Sequence, residues 1–298
     1  MSETAIPKRT AQTVPAARPG GQPIRRIARR FRELREAGEL GLIAYITAGD
    51  PSLEASETIV RAAAEAGADV IELGVPFSDP VADGPTIQRA SERALRSGTT
   101  LAGVLELVRR VREHSDVPLV LFSYFNPILQ MGLETFAERA RVAGADGVLA
   151  TDLTPEEAVD CHAALQACGL DTIFLAAPTS TDARLEKIAK FSTGFLYLIS
   201  RTGVTGTREA FPEELPALCR RSRRFTTLPI AVGFGISLPT HVSVLGGIAD
   251  AAVVGSTLVA EIEKATSVSQ AADAVAGRVR LLKQAALKGI SRRGRNLE

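Results

Sequence analysis

The sequence predicts a single (β/α)8 TIM barrel preceded by one extra helix. Three observations carry this. Short, uniformly apolar segments alternate with helical patterns eight times. Strands that are apolar on both faces imply a parallel sheet covered on both sides. The chain has 298 residues, which suits one barrel without strain. The rival is an open doubly wound sheet. It would want a Gly-x-Gly-x-x-Gly turn after the first strand, and Thr47-Ala-Gly-Asp-Pro51 is not one.

Residues 1–22 are rich in Pro, Ala, Gly, Arg and Thr, lack apolar periodicity and read as a disordered tail. The barrel is expected over 23–290, with a short tail at 291–298. The extra helix starts near Pro23. Ile24, Ile27, Phe31 and Leu34 form its apolar stripe, and Gly38 ends it. It should cover the bottom of the barrel. Gly41–Thr47 is the first strand. A helix from the Ser52 cap to Ala66 follows, stopped by Gly67. Val70–Leu73 is the second strand, followed by helical stretches at 86–97 and 101–114. Val117–Tyr124 is the third strand and Leu133–Ala143 its helix. Gly147–Ala150 is the fourth, with a helix over Pro155–Cys168 capped by Thr154. Thr172–Ala176 is the fifth, with the helix Asp182–Phe191. Gly194–Ser200 is the sixth, with a helix near Pro212–Arg223. Pro229–Val232 is the seventh, with a helix near Pro239–Leu245. Ala251–Val254 is the eighth, and helical material runs to about Lys288. A helix-stopping Gly before an Ala-Asp pair recurs at Gly67, Gly144 and Gly247, so these αβ loops share one chemistry.

Composition narrows the function. The chain is 45% hydrophobic and 23% charged, with a net charge of +1. That leaves no electrostatic footprint for nucleic acid. No window approaches a membrane-spanning length, and no apolar leader pattern is visible, so a cytoplasmic protein is expected. Cys161, Cys168 and Cys219 form no Cys-x-x-Cys, and His114, His162 and His241 lack ligand spacing. No metal site is expected.

The chemistry-bearing residues cluster at strand ends, where barrel active sites form. Val70 and Glu72 share one strand face, and Ile71 and Leu73 share the other. An inward Glu72 would stand at the mouth. Asp83 lies in the long, Pro- and Gly-rich loop after the same strand. A solvated Glu at a strand end is the plain alternative. Two carboxylates in different surroundings can divide acid and base work. Glycine-bearing turns follow the last three strands: Thr202-Gly-Val-Thr-Gly-Thr207, Gly233-Phe-Gly-Ile-Ser237 and Gly255-Ser256. Such turns let backbone N–H groups reach an anion, although they also simply make tight turns. The six lysines, at 8, 187, 190, 264, 283 and 288, all miss the strand ends. A Schiff-base aldolase therefore has no candidate lysine. Tyr45, Phe122, Tyr124, Tyr197 and Phe234 fall at strand ends, as core packing or as the lining of a flat apolar ligand.

The run Glu72-Leu-Gly-Val-Pro-Phe-Ser-Asp-Pro-Val-Ala-Asp-Gly-Pro-Thr-Ile-Gln88 resembles the signature of the tryptophan synthase α subunit family. Thr47-Ala-Gly-Asp-Pro51, Ser200-Arg-Thr-Gly-Val-Thr-Gly206, Gly233-Phe-Gly-Ile-Ser237 and Val254-Gly-Ser256 occur in that family's order. The resemblance spans roughly residues 24–285. It implies retro-aldol cleavage of indole-3-glycerol phosphate to indole and glyceraldehyde 3-phosphate, with no cofactor in this chain. It implies that Glu72 is the acid/base and that Asp83 holds the indole N–H. Phosphate would lie on amides of Gly206, Phe234, Gly235, Gly255 and Ser256, with Gly233 beside them. Tyr45, Ile87, Phe122, Tyr124, Tyr197 and Phe234 would line the indole pocket. Thr205 would sit in a closing loop. The implied partner is a β subunit carrying pyridoxal phosphate, in an α2β2 heterotetramer, contacted through Pro76 and Asp79. A free-standing lyase that releases indole, or a non-catalytic barrel that only activates a β subunit, are the alternatives.

Overall fold

The computed structural model describes residues 25–199, 214–233 and 235–290. The expected tails and three candidate residues, Thr205, Gly206 and Phe234, lie outside the described residues.

Helix α1 (Arg26–Ala37) ends at Gly38, whose φ of 67° is the left-handed conformation that glycine adopts freely. Then come β1 (Gly41–Thr47), α2 (Leu53–Glu65), β2 (Val70–Gly74), α3 (Pro85–Arg96), α4 (Leu101–Arg112) and β3 (Leu119–Ser123). They are followed by α5 (Phe125–Met131), α6 (Leu133–Ala143), β4 (Gly147–Ala150), α7 (Val159–Ala167), β5 (Asp171–Thr172) and β6 (Leu175–Ala176). The chain continues with α8 (Asp182–Phe191), β7 (Leu196–Ile199), α9 (Glu214–Ser222), β8 (Ile230–Gly233), α10 (Pro239–Leu245), β9 (Ala251–Val254), α11 (Ser256–Lys264) and α12 (Val268–Ile290). Ser52 caps α2 as expected, its side chain accepting the Ala55 N–H.

All pairings are parallel, in the order β5-β4-β3-β2-β1-β9-β8-β7-β6. The two ends of that order, β5 and β6, are neighbours in the chain. Ile173 N–H donates to Val148, while Phe174 O accepts from Tyr197. The expected fifth strand, Thr172–Ala176, is therefore two short pieces. Its first half pairs back to β4 and its second half pairs on to β7, which closes the ring. Strand tilt in a barrel imposes this stagger.

Two other expectations need correction. The helix expected over Pro155–Cys168 begins only at Val159. Thr154 makes a turn instead, its carbonyl accepting the Glu157 N–H and its hydroxyl reaching the Glu157 carboxylate. Helix α5 was not foreseen. Its sequence, Phe-Asn-Pro-Ile-Leu-Gln-Met, is short and contains Pro127 near its start.

Strand alternation sorts the apolar side chains into two clusters. Leu42, Ile46, Ile71, Leu73, Leu119, Leu121 and Val232 face outward to the helices. Ile43, Tyr45, Val70, Val120, Phe122, Leu149, Phe195, Tyr197 and Val253 fill the interior. From α1, Ile27, Phe31 and Leu34 join the interior cluster, so this helix plugs the barrel floor. Phe31 meets Phe195 with ring centroids 5.8 Å apart.

The recurring Ala-Asp pairs make one repeated joint at the floor. Asp69, Asp146 and Asp250 each donate their N–H to the first part of the neighbouring strand, at Leu42, Leu119 and Ile230. Each carboxylate accepts an N–H from that same residue, at 2.6, 2.8 and 2.7 Å. The same carboxylates also take cations. Arg30 and Lys283 reach Asp69, Arg26 and Arg112 reach Asp146, and Arg223 reaches Asp250. Arg25 adds Asp171 at 2.6 Å. Basic residues of α1 thus fan onto the strand starts.

Asp69 ties α1, α12 and β1 together from a side chain only 2% exposed. Asp69→Ala is expected to lower unfolding free energy by roughly 2–4 kcal/mol, because it strands partnered cations and a buried N–H. Urea denaturation of both proteins checks this. A change within about 0.5 kcal/mol, the scatter of ordinary surface substitutions, would show the joint to be passive.

Candidate active site

Glu72 lies on the inward face of β2, level with Tyr45 on β1 and Val120 on β3. Its side chain has no solvent exposure, and neither carboxylate oxygen has a hydrogen-bond partner among the described residues. Burial alone pushes its carboxyl up to about 8, so the acid keeps its proton at neutral pH. The solvated reading of Glu72 does not hold.

Asp83 is set in the loop between β2 and α3. Its N–H donates to Pro80 O at 3.0 Å, and the Gln88 amide donates to Asp83 O at 2.8 Å. Tyr124, just beyond β3, holds the loop from the other side. Its hydroxyl accepts the Ala82 N–H at 2.9 Å and donates to Asp83 Oδ2 at 3.2 Å. Its ring stacks on Phe77 with centroids 5.0 Å apart. Burial raises the Asp83 carboxyl to about 6, and the Tyr124 hydrogen bond works against that rise. Asp83 is therefore mostly ionised at neutral pH, whereas Glu72 is mostly neutral. Tyr45 stays protonated chiefly through burial, and the negative charge of Asp83 adds to this.

The expected aromatic wall assembles in part. Tyr45 and Phe122 meet edge to face, with centroids 5.2 Å apart. Tyr197 is in the same interior cluster, and Ile87 packs against it. Tyr124 is engaged with the Asp83 loop, as a holder of the acid. Two tyrosines lean along their strands over a glycine on the next strand. A Cβ on Gly74 would collide with the Tyr45 hydroxyl, and one on Gly233 with that of Tyr197. Gly74 and Gly233 therefore make room for the wall.

Of the glycines proposed for an anion, Gly235 has a φ of 87° and open space around its missing side chain. Gly255 precedes α11 and lies close on Tyr45. Helix α11 starts at Ser256 with no capping side chain and no acid in its first turn. Its leading N–H groups have no carbonyl within the helix to bond, and the helix dipole favours an anion there.

Of the two residues expected to meet a partner, Asp79 is exposed and accepts the Ser78 hydroxyl at 2.5 Å. Pro76 is buried in this chain's own fold. Val81, which sequence reasoning passed over, is 86% exposed at the tip of the same loop. Gln88 was also missed, since an amide near a helix start carries no signal of what it will bond. Among the described residues, no group of His, Cys, Asp or Glu could hold a metal ion. Among them, too, no helix is long and apolar enough to cross a membrane.

Comparison with known proteins agrees across sequence and structure. A family model described as Tryptophan synthase alpha chain matches residues 31–287. The tryptophan synthase alpha chain of Solibacter usitatus is 55% identical over 239 residues, covering 80% of this chain and 90% of that protein. That of Citrifermentans bemidjiense is 50% identical over 264 residues, covering 89% and 98%. Among solved structures, Mycobacterium tuberculosis tryptophan synthase superposes with a TM-score of 0.82 at 34% identity, covering 88% of this chain and 98% of that one. The subunit alpha of tryptophan synthase from Legionella pneumophila gives 0.81 at 36% identity, covering 89% and 99%.

The Glu72 environment has a consequence for stability. Its carboxyl titrates near its ordinary value of 4.5 in the unfolded chain and near 8 in the folded one. As pH rises between those values, the folded state binds more protons than the unfolded state, so stability falls. Glu72→Gln lacks this loss. Its stability advantage over wild type should grow by more than about 1 kcal/mol between pH 5 and pH 8, since a tenfold difference in proton affinity carries about 1.36 kcal/mol. Urea unfolding of both proteins at the two pH values checks this. A gap that does not change with pH would mean a solvated or paired carboxylate.

Proposed function

The chain belongs to the tryptophan synthase alpha chain family, and on that premise we propose that Glu72 and Asp83 share the work of its lyase reaction. The reaction is retro-aldol cleavage of indole-3-glycerol phosphate into indole and glyceraldehyde 3-phosphate. What carries the reading is that a buried Glu72 and a half-buried Asp83 beside one aromatic wall both have raised carboxyls, at about 8 and about 6, on either side of neutral pH.

Neutral Glu72 gives its proton to C3 of the indole, leaving an iminium and a Glu72 carboxylate. Asp83, ionised, accepts the hydrogen bond of the indole N–H and offsets the positive charge that develops on the ring. The Glu72 carboxylate then takes the proton of the hydroxyl on the carbon bonded to C3. That oxygen becomes the aldehyde carbonyl, and the carbon–carbon bond breaks. Its electron pair restores the aromatic pyrrole ring. Glu72 ends protonated, as it began. A dry interior favours this, because it keeps the acid neutral until substrate arrives.

Tyr45, Phe122, Tyr197, Ile87 and Phe234 line the indole pocket, with Tyr124 fixing Asp83 at its edge. The phosphate lies on the amides of Gly206, Phe234, Gly235, Gly255 and Ser256, with Gly233 clearing space for Tyr197. Thr205 is proposed as a substrate-binding residue from its position in the Ser200-Arg-Thr-Gly-Val-Thr-Gly206 motif. The catalytic barrel spans 23–290, between tails at 1–22 and 291–298. The enzyme works in the cytoplasm without a cofactor of its own. Its partner is a tryptophan synthase β subunit, which holds pyridoxal phosphate and receives indole within an α2β2 heterotetramer. Asp79 and the exposed tip at Val81 offer that partner a polar and an apolar contact on the loop that carries Asp83.

Glu72→Gln should lower the rate of indole release from indole-3-glycerol phosphate by at least about 10²-fold, the scale of a positioned proton donor. Single-turnover cleavage and thermal melting are measured together, and near-normal turnover in a folded variant removes Glu72 from the mechanism. Addition of the β subunit should raise indole release by roughly 5–150-fold, the usual range of coupling between sites. Asp79→Ala should blunt that rise while leaving the rate of the isolated chain unchanged. An isolated chain that already turns over at its full rate and ignores the β subunit is a free-standing lyase.

A further inference from the structure

The two helices that carry the ends of the proposed site are tied to each other by one carboxylate. Helix α3 starts at Pro85, two residues after Asp83. Helix α11 starts at Ser256, whose amide the proposed function gives to the phosphate. Further along α11, Glu263 receives Arg89 as a fork, Nε on Oε1 at 2.7 Å and Nη2 on Oε2 at 2.8 Å. Arg93, on the next turn of α3, adds Nη1 on Oε1 at 2.8 Å. The other edge of Arg93 grips Asp50, just after β1, with two contacts of 2.8 Å. Paired contacts between a planar guanidinium and a carboxylate fix direction as well as distance.

The same two helices reach the barrel interior, α3 through Ala90 and α11 through Val259. A slide of one helix along the other would move both groups, and with them Asp83 relative to Ser256. The Glu263 carboxyl is held down to about 2, first by the Arg89 hydrogen bond, so it stays ionised wherever Glu72 and Asp83 titrate. Its side chain is 29% exposed. Ion pairs this open to water add little to folding stability. Stability alone is a poor reason for so ordered a cluster.

We propose that Glu263 is a positioning residue that clamps α3 to α11 through Arg89 and Arg93 and so sets the distance between the indole end and the phosphate end of the site. The proposal rests on the catalytic reading above and deepens it. A substrate that must satisfy both ends at once senses their spacing, whereas a fragment that fills one end does not.

The test uses the full chain as wild type, Glu263→Ala, Glu263→Gln and Arg89→Ala. The last keeps Arg93 on Asp50 and removes only the fork. Four quantities are measured: kcat/KM for indole-3-glycerol phosphate, the Kd of glycerol 3-phosphate, the Kd of indole, and the melting temperature. For Glu263→Ala and Arg89→Ala, kcat/KM should fall by roughly 10- to 100-fold, since a misplacement of about 1 Å can cost about 10²-fold. Both fragment affinities and the melting temperature should match wild type. Glu263→Gln should fall between, because its amide oxygen still accepts one guanidinium contact. Wild-type kcat/KM in Glu263→Ala would overturn the proposal. So would fragment affinities or melting that fall in step with kcat/KM, because the role would then be structural. If wild type itself releases no indole, the catalytic reading fails, whatever Glu263 does.

Discussion

A closed ring of parallel strands gives an inward-pointing side chain no route to water, and the chemistry of this chain follows from that. The ring shuts where Asp171–Ala176 passes from pairing with β4 to pairing with β7. Helix α1 then seals the floor with Ile27, Phe31 and Leu34. A glutamate placed inward on β2 is thereby desolvated on all sides. Its neutral form is favoured because a buried carboxylate with no donor is costly. Asp83 escapes the same fate because it sits on a loop, partly wet, with the Tyr124 hydroxyl as a donor. One strand and its loop thus supply two acids of different character.

Asp69 and Glu72 make the contrast sharp, being three residues apart and both buried. Asp69 lies at the floor and has the Leu42 N–H, Arg30 and Lys283 around its oxygens. Glu72 lies toward the mouth and has no hydrogen-bond partner among the described residues. The floor invests its acids in paired joints that hold strands and helices together. The mouth leaves an acid without a hydrogen-bond partner among the described residues, and so neutral. This division matches the general separation in such barrels, with stability at the N-terminal face and catalysis at the C-terminal face.

The wall of the site depends on close packing as much as on charge. Tyr45 and Tyr197 each lie over a glycine of the adjoining strand, Gly74 and Gly233. Gly255, at the start of α11, in turn rests close against Tyr45. The aromatic surface, the acid-bearing strand and the start of α11 are therefore in van der Waals register. Glu263 and its two arginines extend that register to the outer surface, where α3 meets α11.

Much of this was legible in the chain itself. Eight apolar runs with Gly stops and Ser or Thr caps predict a barrel, and β1, β4, β9, α6, α8 and α10 begin and end where their patterns do. Local physics is enough there, because the alternation of side chains and the conformational freedom of glycine act over a few residues. The motif around Glu72 and Asp83, and the absence of a lysine at any strand end, pointed to carboxylate chemistry. What the sequence by itself did not determine is long-range. The fifth strand breaks in two because ring closure demands a change of partner at Ile173 and Phe174. Tyr124 turns to Asp83, 41 positions away, and Glu263 takes arginines 174 and 170 positions away. Pro76 is buried, while Val81, five residues on, stands in solvent. No local pattern encodes these partners, because each exists only once the ring has closed and brought distant segments within hydrogen-bond reach.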